Sequence, residues 1–291
     1  MEGIDLASVL SESLRALNTP QKPRIRPSAL GLALGPEHDG CQLSWWEQVH
    51  GAPVKEPSNG ELLMFRQGDN LHEDLVILLM PSLMIEGWEI EGVEEEARFY
   101  GVTGTYDLKI RHRETGTTVV IDFKTKRGNA FRYLDEPKSG DVLQVQFYVA
   151  AEIADYGVLL YVDREGQNFV RQFEVERDDE RVCTAIDTMR SIWESDEPPE
   201  PVGLKLSRRQ NKGADSVYLK LPWQIEWCRL ETCSCLASLP KTPPSGIVAK
   251  VKNDGLVIPT KGNEGWMPIV LRLLREEYPD EDLYVDQELF K

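Results

Sequence analysis

The chain has 291 residues, 41% of them hydrophobic and 28% charged, proportions that exclude the fibrous and disordered classes. No apolar run approaches the ~20 residues of a bilayer span; the longest, Leu75 to Ile85, is interrupted by Pro81 and Ser82. Against 33 basic residues stand 49 acidic ones, a net charge of -16, which argues against a bulk polyanion binder and leaves room only for a local basic groove.

The start, MEGIDLASVLSESL, carries acids where a secretory leader has a basic end and an apolar block, so a cytoplasmic protein with no membrane partner is expected. Residues 1 to about 27 read as a helix followed by a Pro-broken basic link. LSWWEQVH (43–50) reads as a second helix and 61–79 as a third, with apolar positions at i, i+3 and i+4. Glu89, Glu91, Glu94, Glu95 and Glu96 form an acidic run that reads as solvated surface. The period then changes. ARFYGVTGTYDLKIR (97–111) reads as two short strands bent at glycines, and TTVVIDFKT (117–125) as a central strand with β-branched residues on both faces. Helical spacing returns over 140–155. GVLLYVD (157–163) and NFVRQFEVE (168–176) are expected strands, and 178–193 a capped amphipathic helix stopped by the prolines that follow. TPPSG (242–246) reads as a linker into a small tail, acidic toward its end, that is either an interaction or oligomerisation element or more core. Four regions result: 1–60, helical, with the first cysteine; a core over 61–200; a basic segment with a cysteine cluster over 201–242; and a tail over 243–291.

Asp122 and Lys124 lie two apart on the expected central strand, so both side chains leave one face. Burying an acid and a lysine there costs several kcal/mol unless they meet a partner, a metal or water. A salt bridge would account for a lone D-x-K. Here Asp107 stands on the preceding strand, and a hairpin brings two carboxylates together, which repel unless a cation lies between them. Oxygen ligands of this kind suit Mg²⁺ or Mn²⁺.

The ordered set resembles the RecB-like branch of the PD-(D/E)XK nucleases, which includes iron–sulfur CRISPR-associated and phage exonucleases. The matching motifs are G-x-x-x-H (Gly68 to His72), G-x-x-D (Gly104 to Asp107), D-x-K (Asp122, Lys124) and Q-x-x-x-Y (Gln144, Tyr148). The resemblance covers roughly residues 25–240. It implies an α/β restriction-endonuclease-like fold: a mixed central sheet flanked by helices, with helical N- and C-terminal additions. It also implies that His72, Asp107, Asp122 and the Phe123 carbonyl hold the ion, while Lys124 positions or helps deprotonate the attacking water and stabilises phosphate charge. Gln144 and Tyr148 then support Lys124 or touch DNA. Glu95 or Glu96 is a further candidate to approach the ion. Taken alone, His72 reads as a buried histidine beside Leu75, Val76 and Leu79.

Of five cysteines, Cys183 fits an amphipathic helix as a small apolar residue. Cys228, Cys233 and Cys235 give C-x4-C-x-C, with Cys41 far upstream. Structural disulfides are not expected in a reducing compartment, and three close thiols plus a distant one can make a four-thiolate site. The resembled iron–sulfur members place one cysteine before the core and three after it, in the spacing C-x2-C-x5-C. The departure leaves a [4Fe–4S] cluster, a zinc site and a degenerate remnant all open. Basic residues flanking the site, Lys126, Arg127 and Arg132 and then Arg208 and Arg209, are candidates for backbone phosphates. Trp45, Trp46, Trp223 and Trp227 are candidates for base stacking or core. The reading is a metal-dependent DNA exonuclease acting on ends or single strands, in recombination, repair or phage DNA processing, with proteins of those processes as partners. The alternatives are a non-catalytic DNA-binding or scaffolding protein that retains the fold, and an acidic interaction protein. Oligomeric state is left open.

Overall fold

The computed structural model describes residues 5–18, 22–35, 40–166, 170–202, 204–211, 214–220, 228, 230–231, 234–237, 247–252, 255–259 and 265–286. The chain divides into two compact units, Met1–Pro198 and Pro199–Lys291. The expected linker at 242–246 lies outside the described residues. Among the described residues no helix is long and apolar enough to cross a membrane.

In the first unit, helix α1 (Leu6–Leu17) precedes a 3-10 segment (Pro27–Ala33), α2 (Gln42–Val49) and the long α3 (Asn59–Ile85). α3 begins on a capping box: the Ser58 hydroxyl takes the Glu61 N–H while the Glu61 carboxylate takes the Ser58 N–H. It was expected to end at residue 79 but runs through Pro81 to Ile85. Proline removes one helical hydrogen bond. Pro81 faces solvent, while Leu79, Met80 and Leu83 around it pack on the sheet. That burial holds the last turns together.

The sheet has the order β1-β2-β3-β4-β5, from β1 (Trp88–Phe99), β2 (Val102–His112), β3 (Thr118–Lys126), β4 (Tyr156–Asp163) and β5 (Val170–Glu176). β1, β2 and β3 are antiparallel, β3 and β4 parallel, and β4 and β5 antiparallel. After a short α4 (Gly128–Arg132), the parallel step is crossed by α5 (Ser139–Ala151); α6 (Asp179–Glu194) follows β5. β1 starts at Trp88, so the acidic run, its glutamates exposed as expected, lies on the edge strand. Its ladder shifts register between Ile90 and Gly92, and Glu94 has a positive φ of 50°.

β3 is buried on both faces. Val119, Ile121 and Phe123 join Val76 of α3, whereas Val120 joins Leu143, Phe147 and Tyr148 of α5. Gly157 on β4 admits α5 closely, because a Cβ there would strike Val145 and lie 2.9 Å from Val149 Cγ2. A helix–sheet–helix sandwich built on a mixed sheet, with its parallel step bridged by a helix, is the restriction-endonuclease-like fold expected.

The second unit holds β6 (Lys205–Asn211), β7 (Ala214–Lys220), a short α7 (Ser234–Ala237), β8 (Ile247–Lys252), β9 (Gly255–Pro259), α8 (Met267–Glu277) and β10 (Leu283–Asp286). Its sheet runs β10-β9-β8-β7-β6, antiparallel except for β9 and β10. Val217, Val248, Leu256 and Ile258 of the sheet pack with Trp266, Val270 and Leu274. The regions expected at 201–242 and 243–291 both fall within this unit.

Candidate active site

The site forms where the sheet forks. The β2–β3 ladder covers Arg111 opposite Thr118 up to Leu108 opposite Ile121, whereas β3 continues along β4 as far as Lys126 opposite Asp163. Beyond Ile121 the β2-side edge of β3 has no ladder partner among the described residues. A buried N–H there needs an acceptor, and Asp107, one residue past the last rung on β2, supplies it: Phe123 N donates to its Oδ2 at 2.6 Å. The carboxylate is thereby fixed beside Asp122.

His72 reaches the same point from α3, its Nδ1 3.6 Å from Asp107 Oδ2 and its ring tilted against Phe123 at 5.9 Å between centroids. At 3.6 Å this is an ion-pair approach, too long for a hydrogen bond. Burial opposes its charged form, but Asp107 outweighs that and raises the imidazole pKa. Among the described residues nothing lies within 4 Å of where a Cβ on Gly68 would point, so their packing gives no reason for that glycine. Gly104 has one. A Cβ there would strike the Pro27 ring and come within 3.1 Å of Tyr148 Cε1, so its absence lets β2 close on α5.

Asp122 is 2% exposed. Its Oδ1 accepts from Gln144 Nε2 at 3.2 Å, and its Oδ2 lies 2.7 Å from Lys124 Nζ without any donor aligned on it for a hydrogen bond. Lys124 Nζ instead donates to Gln144 Oε1 at 3.0 Å, and Gln144 Nε2 also reaches the Tyr148 hydroxyl at 3.3 Å. Gln144 is the hub of this seam. Burial drives the Asp122 pKa upward, with Lys124 opposing and Asp107 adding to the rise. Burial works against the Lys124 charge too, yet Asp122 and Asp141 win and its pKa rises. Burial pushes the Tyr148 hydroxyl up to about 12.

The fold thus gathers His72, Asp107, Asp122, Phe123, Lys124, Gln144 and Tyr148. Two more seam residues went unnoticed in the sequence: Asp141, seven before Tyr148 on the same helix face, and Tyr161, opposite Lys124 on β4. The helical spacing was a usable signal for the first; the second needed the register. Glu95 and Glu96 are engaged elsewhere, Glu95 accepting from Tyr106 at 3.2 Å and Glu96 pairing with Arg98.

Lys126 lies on the seam, and Arg127 and Arg132 are exposed just beyond β3. Arg208 of the second unit is held by Asp215 and Glu281, both at 2.7 Å; the side chain of Arg209 lies outside the described set. Trp45 and Trp46 are structural: their indole N–H groups donate to Met189 O and Ser195 O, tying α2 to α6 and the residue after it. Trp223 and Trp227 lie outside the described residues. Cys41 is buried at the N-cap of α2, its sulfur facing Ser44 N at 3.4 Å. Cys228 and Cys235 are buried in the second unit, and Cys233 lies outside the described residues. Among the described residues, no three His, Cys, Asp or Glu side chains already stand in metal-holding geometry. Asp107 is turned to the Phe123 N–H, and Asp122 to Lys124 and Gln144.

The sequence matches no protein-family model and no curated protein. Solved structures do resemble it. The crystal structure of SSO0001 is 15% identical over 82% of this chain and 98% of its own, with a TM-score of 0.42. The alkaline exonuclease LHK-Exo from Laribacter hongkongensis is 13% identical over 62% of this chain and 90% of its own, at 0.41. A phage related exonuclease from Haemophilus somnus 129PT is 15% identical over 60% and 94%, at 0.42.

Proposed function

We propose that the protein is a divalent-metal-dependent deoxyribonuclease of the RecB-like PD-(D/E)XK type. The observation that carries this reading is the sheet fork itself: two carboxylates and an imidazole converge beside a lysine held by a glutamine. The donor set fits a hard divalent ion. Asp122 Oδ2 is buried with no hydrogen-bond donor aligned on it, and Asp107 and His72, 3.6 Å apart, would join it and the Phe123 carbonyl as ligands once the carboxylates turn from their present partners. When bound, Mg²⁺ or Mn²⁺ contributes Lewis acidity toward the phosphate and acidifies water.

The chain's own groups account for the rest. Lys124, paired with Asp122 and donating to Gln144 Oε1, is placed to act as a fixed cation and donor to the charge developing on the phosphate and to position the attacking water. Gln144 sets its position, accepting from Nζ while donating to Asp122. Tyr148 holds the far side of Gln144. A lysine pinned this way needs no reorganisation when charge develops beside it.

Within this reading the enzyme is an exonuclease acting on DNA ends or single strands, in recombination, repair or phage DNA processing. A thiolate-held [4Fe–4S] cluster, or zinc in its place, is proposed for Cys41, Cys228, Cys233 and Cys235 on spacing alone. Iron and zinc analysis of anaerobically purified protein decides it, and the hydrolytic chemistry does not depend on it. The functional test is release of nucleotides from end-labelled DNA with Mn²⁺. Asp122→Ala is expected to lose at least about 10²–10³-fold, the scale of one transition-state contact. Equal rates in both proteins would reject the site.

A further inference from the structure

Beyond Lys124 the seam continues. Asp122, Lys124 and Lys126 occupy alternate positions of β3, so all three side chains leave the face on which α5 packs. α5 answers with Tyr148, Gln144 and Asp141, seven, three and zero residues along one helix face. Gln144 serves Asp122 and Lys124, while Asp141 serves Lys126, with Nζ to Oδ2 at 3.7 Å. The shorter bond to Asp141 comes from elsewhere: the Tyr161 hydroxyl donates to the same oxygen at 2.7 Å, and Lys126 Nζ lies 5.2 Å from the centre of the Tyr161 ring.

A structural ion pair would be the ordinary account of Lys126. At 3.7 Å the pair is loose. The carboxylate is committed first to a hydroxyl, and both side chains keep solvent access, Lys126 at 18% and Asp141 at 22%. Burial lowers the Lys126 pKa despite Asp141, as expected for an ammonium with too little negative charge around it. Such a group gains by meeting a second anion. Two residues of strand advance the chain by about 6.6 Å, which sets Lys126 roughly one phosphate step along from Lys124.

We propose that Lys126 binds the phosphate next to the scissile one, with Asp141 and Tyr161 as positioning residues. The substrate is then a strand carrying at least one further phosphate beside the cut, not an isolated phosphodiester. This rests on the nuclease reading and adds a direction to it: the strand runs along β3 toward its C-terminal end. The groups used are separate from the proposed metal ligands.

The test uses the full-length protein in two measurements. Binding of a fluorescent single-stranded oligonucleotide is followed in EDTA over a salt series; Lys126→Met is expected to lower the slope of log K against log salt by about 1, the signature of one lost phosphate contact. Hydrolysis is then compared on oligonucleotides bearing one uncharged methylphosphonate at either neighbour of the scissile position. Wild-type protein is expected to lose about tenfold or more at one of the two, the size of a charge-assisted contact. Lys126→Met should be insensitive at that position, and Lys126→Arg should keep the sensitivity. An unchanged salt slope, or an equal methylphosphonate penalty in wild type and Lys126→Met, would overturn the assignment. Wild-type protein that cleaves no DNA would instead overturn the nuclease reading, and the salt slope would then judge the phosphate contact by itself.

Discussion

Asp122 and Lys124 are an expensive pair for a fold to keep. The carboxylate is 2% exposed, the ammonium 2.7 Å away, and one oxygen lacks an aligned donor. Two charges taken out of water regain that cost only with complete hydrogen bonding, so replacing both by apolar groups of like size is often neutral or stabilising by about 1–4 kcal/mol. Lys124→Met alone is expected to lose about 3 kcal/mol, the low end for a broken buried pair because Lys124 is 21% exposed. Asp122→Leu combined with Lys124→Met should recover wild-type stability or exceed it in urea unfolding with EDTA, with no nuclease activity. A double variant as unstable as the single one would mean the pair is kept for folding rather than for chemistry.

At the scale of elements, the turn out of α5 carries a visible strain. Ile153 is β-branched, 77% exposed and at φ 51°, in the left-handed position that ends the helix, with Ala154 N bonded to Val149 O at 3.0 Å. A side chain there costs about 1–2 kcal/mol. After subtracting the greater chain entropy of glycine, Ile153→Gly should gain about 0.5–1 kcal/mol in chemical denaturation with DNA hydrolysis unchanged. A loss of stability would show that the side chain contributes contacts that outweigh its backbone strain. Elements also mark how far the sequence could be read. Alternation on β3 and helical spacing on α5 were enough to put Asp122 with Lys124 and Gln144 with Tyr148, because each pair lies within one element. Asp141 and Tyr161 meet Lys126 from two other elements, and only the register of β3 on β4 brings them together. Only the end of β1, from Ala97, is legible in the sequence; its first part is hidden although Trp88 and Ile90 alternate with Glu89 and Glu91, because five glutamates obscure the period. α3 was read too short because burial of Leu79, Met80 and Leu83 overrides the proline between them.

Over the whole molecule, each sheet draws its strands from one unit, and each unit has its own apolar cluster. The first unit therefore contains every element of the proposed catalytic seam. Residues 1–198 produced alone should give a mixed α/β circular dichroism spectrum and one cooperative thermal transition; a chain that melts without cooperativity would show the second unit to be required. Among the described residues, no strand pairs with the outer edge of β1 in the sheet of that first unit. A strand of twelve residues at an edge is a template on which other chains can polymerise. Here the template is spoiled three times over, by glutamates along its length, by the register slip at Gly92 and by the backwards twist at Glu94. Part of the negative charge that makes this chain look so unsuited to nucleic acid thus lies where like charges oppose edge-to-edge pairing of two copies.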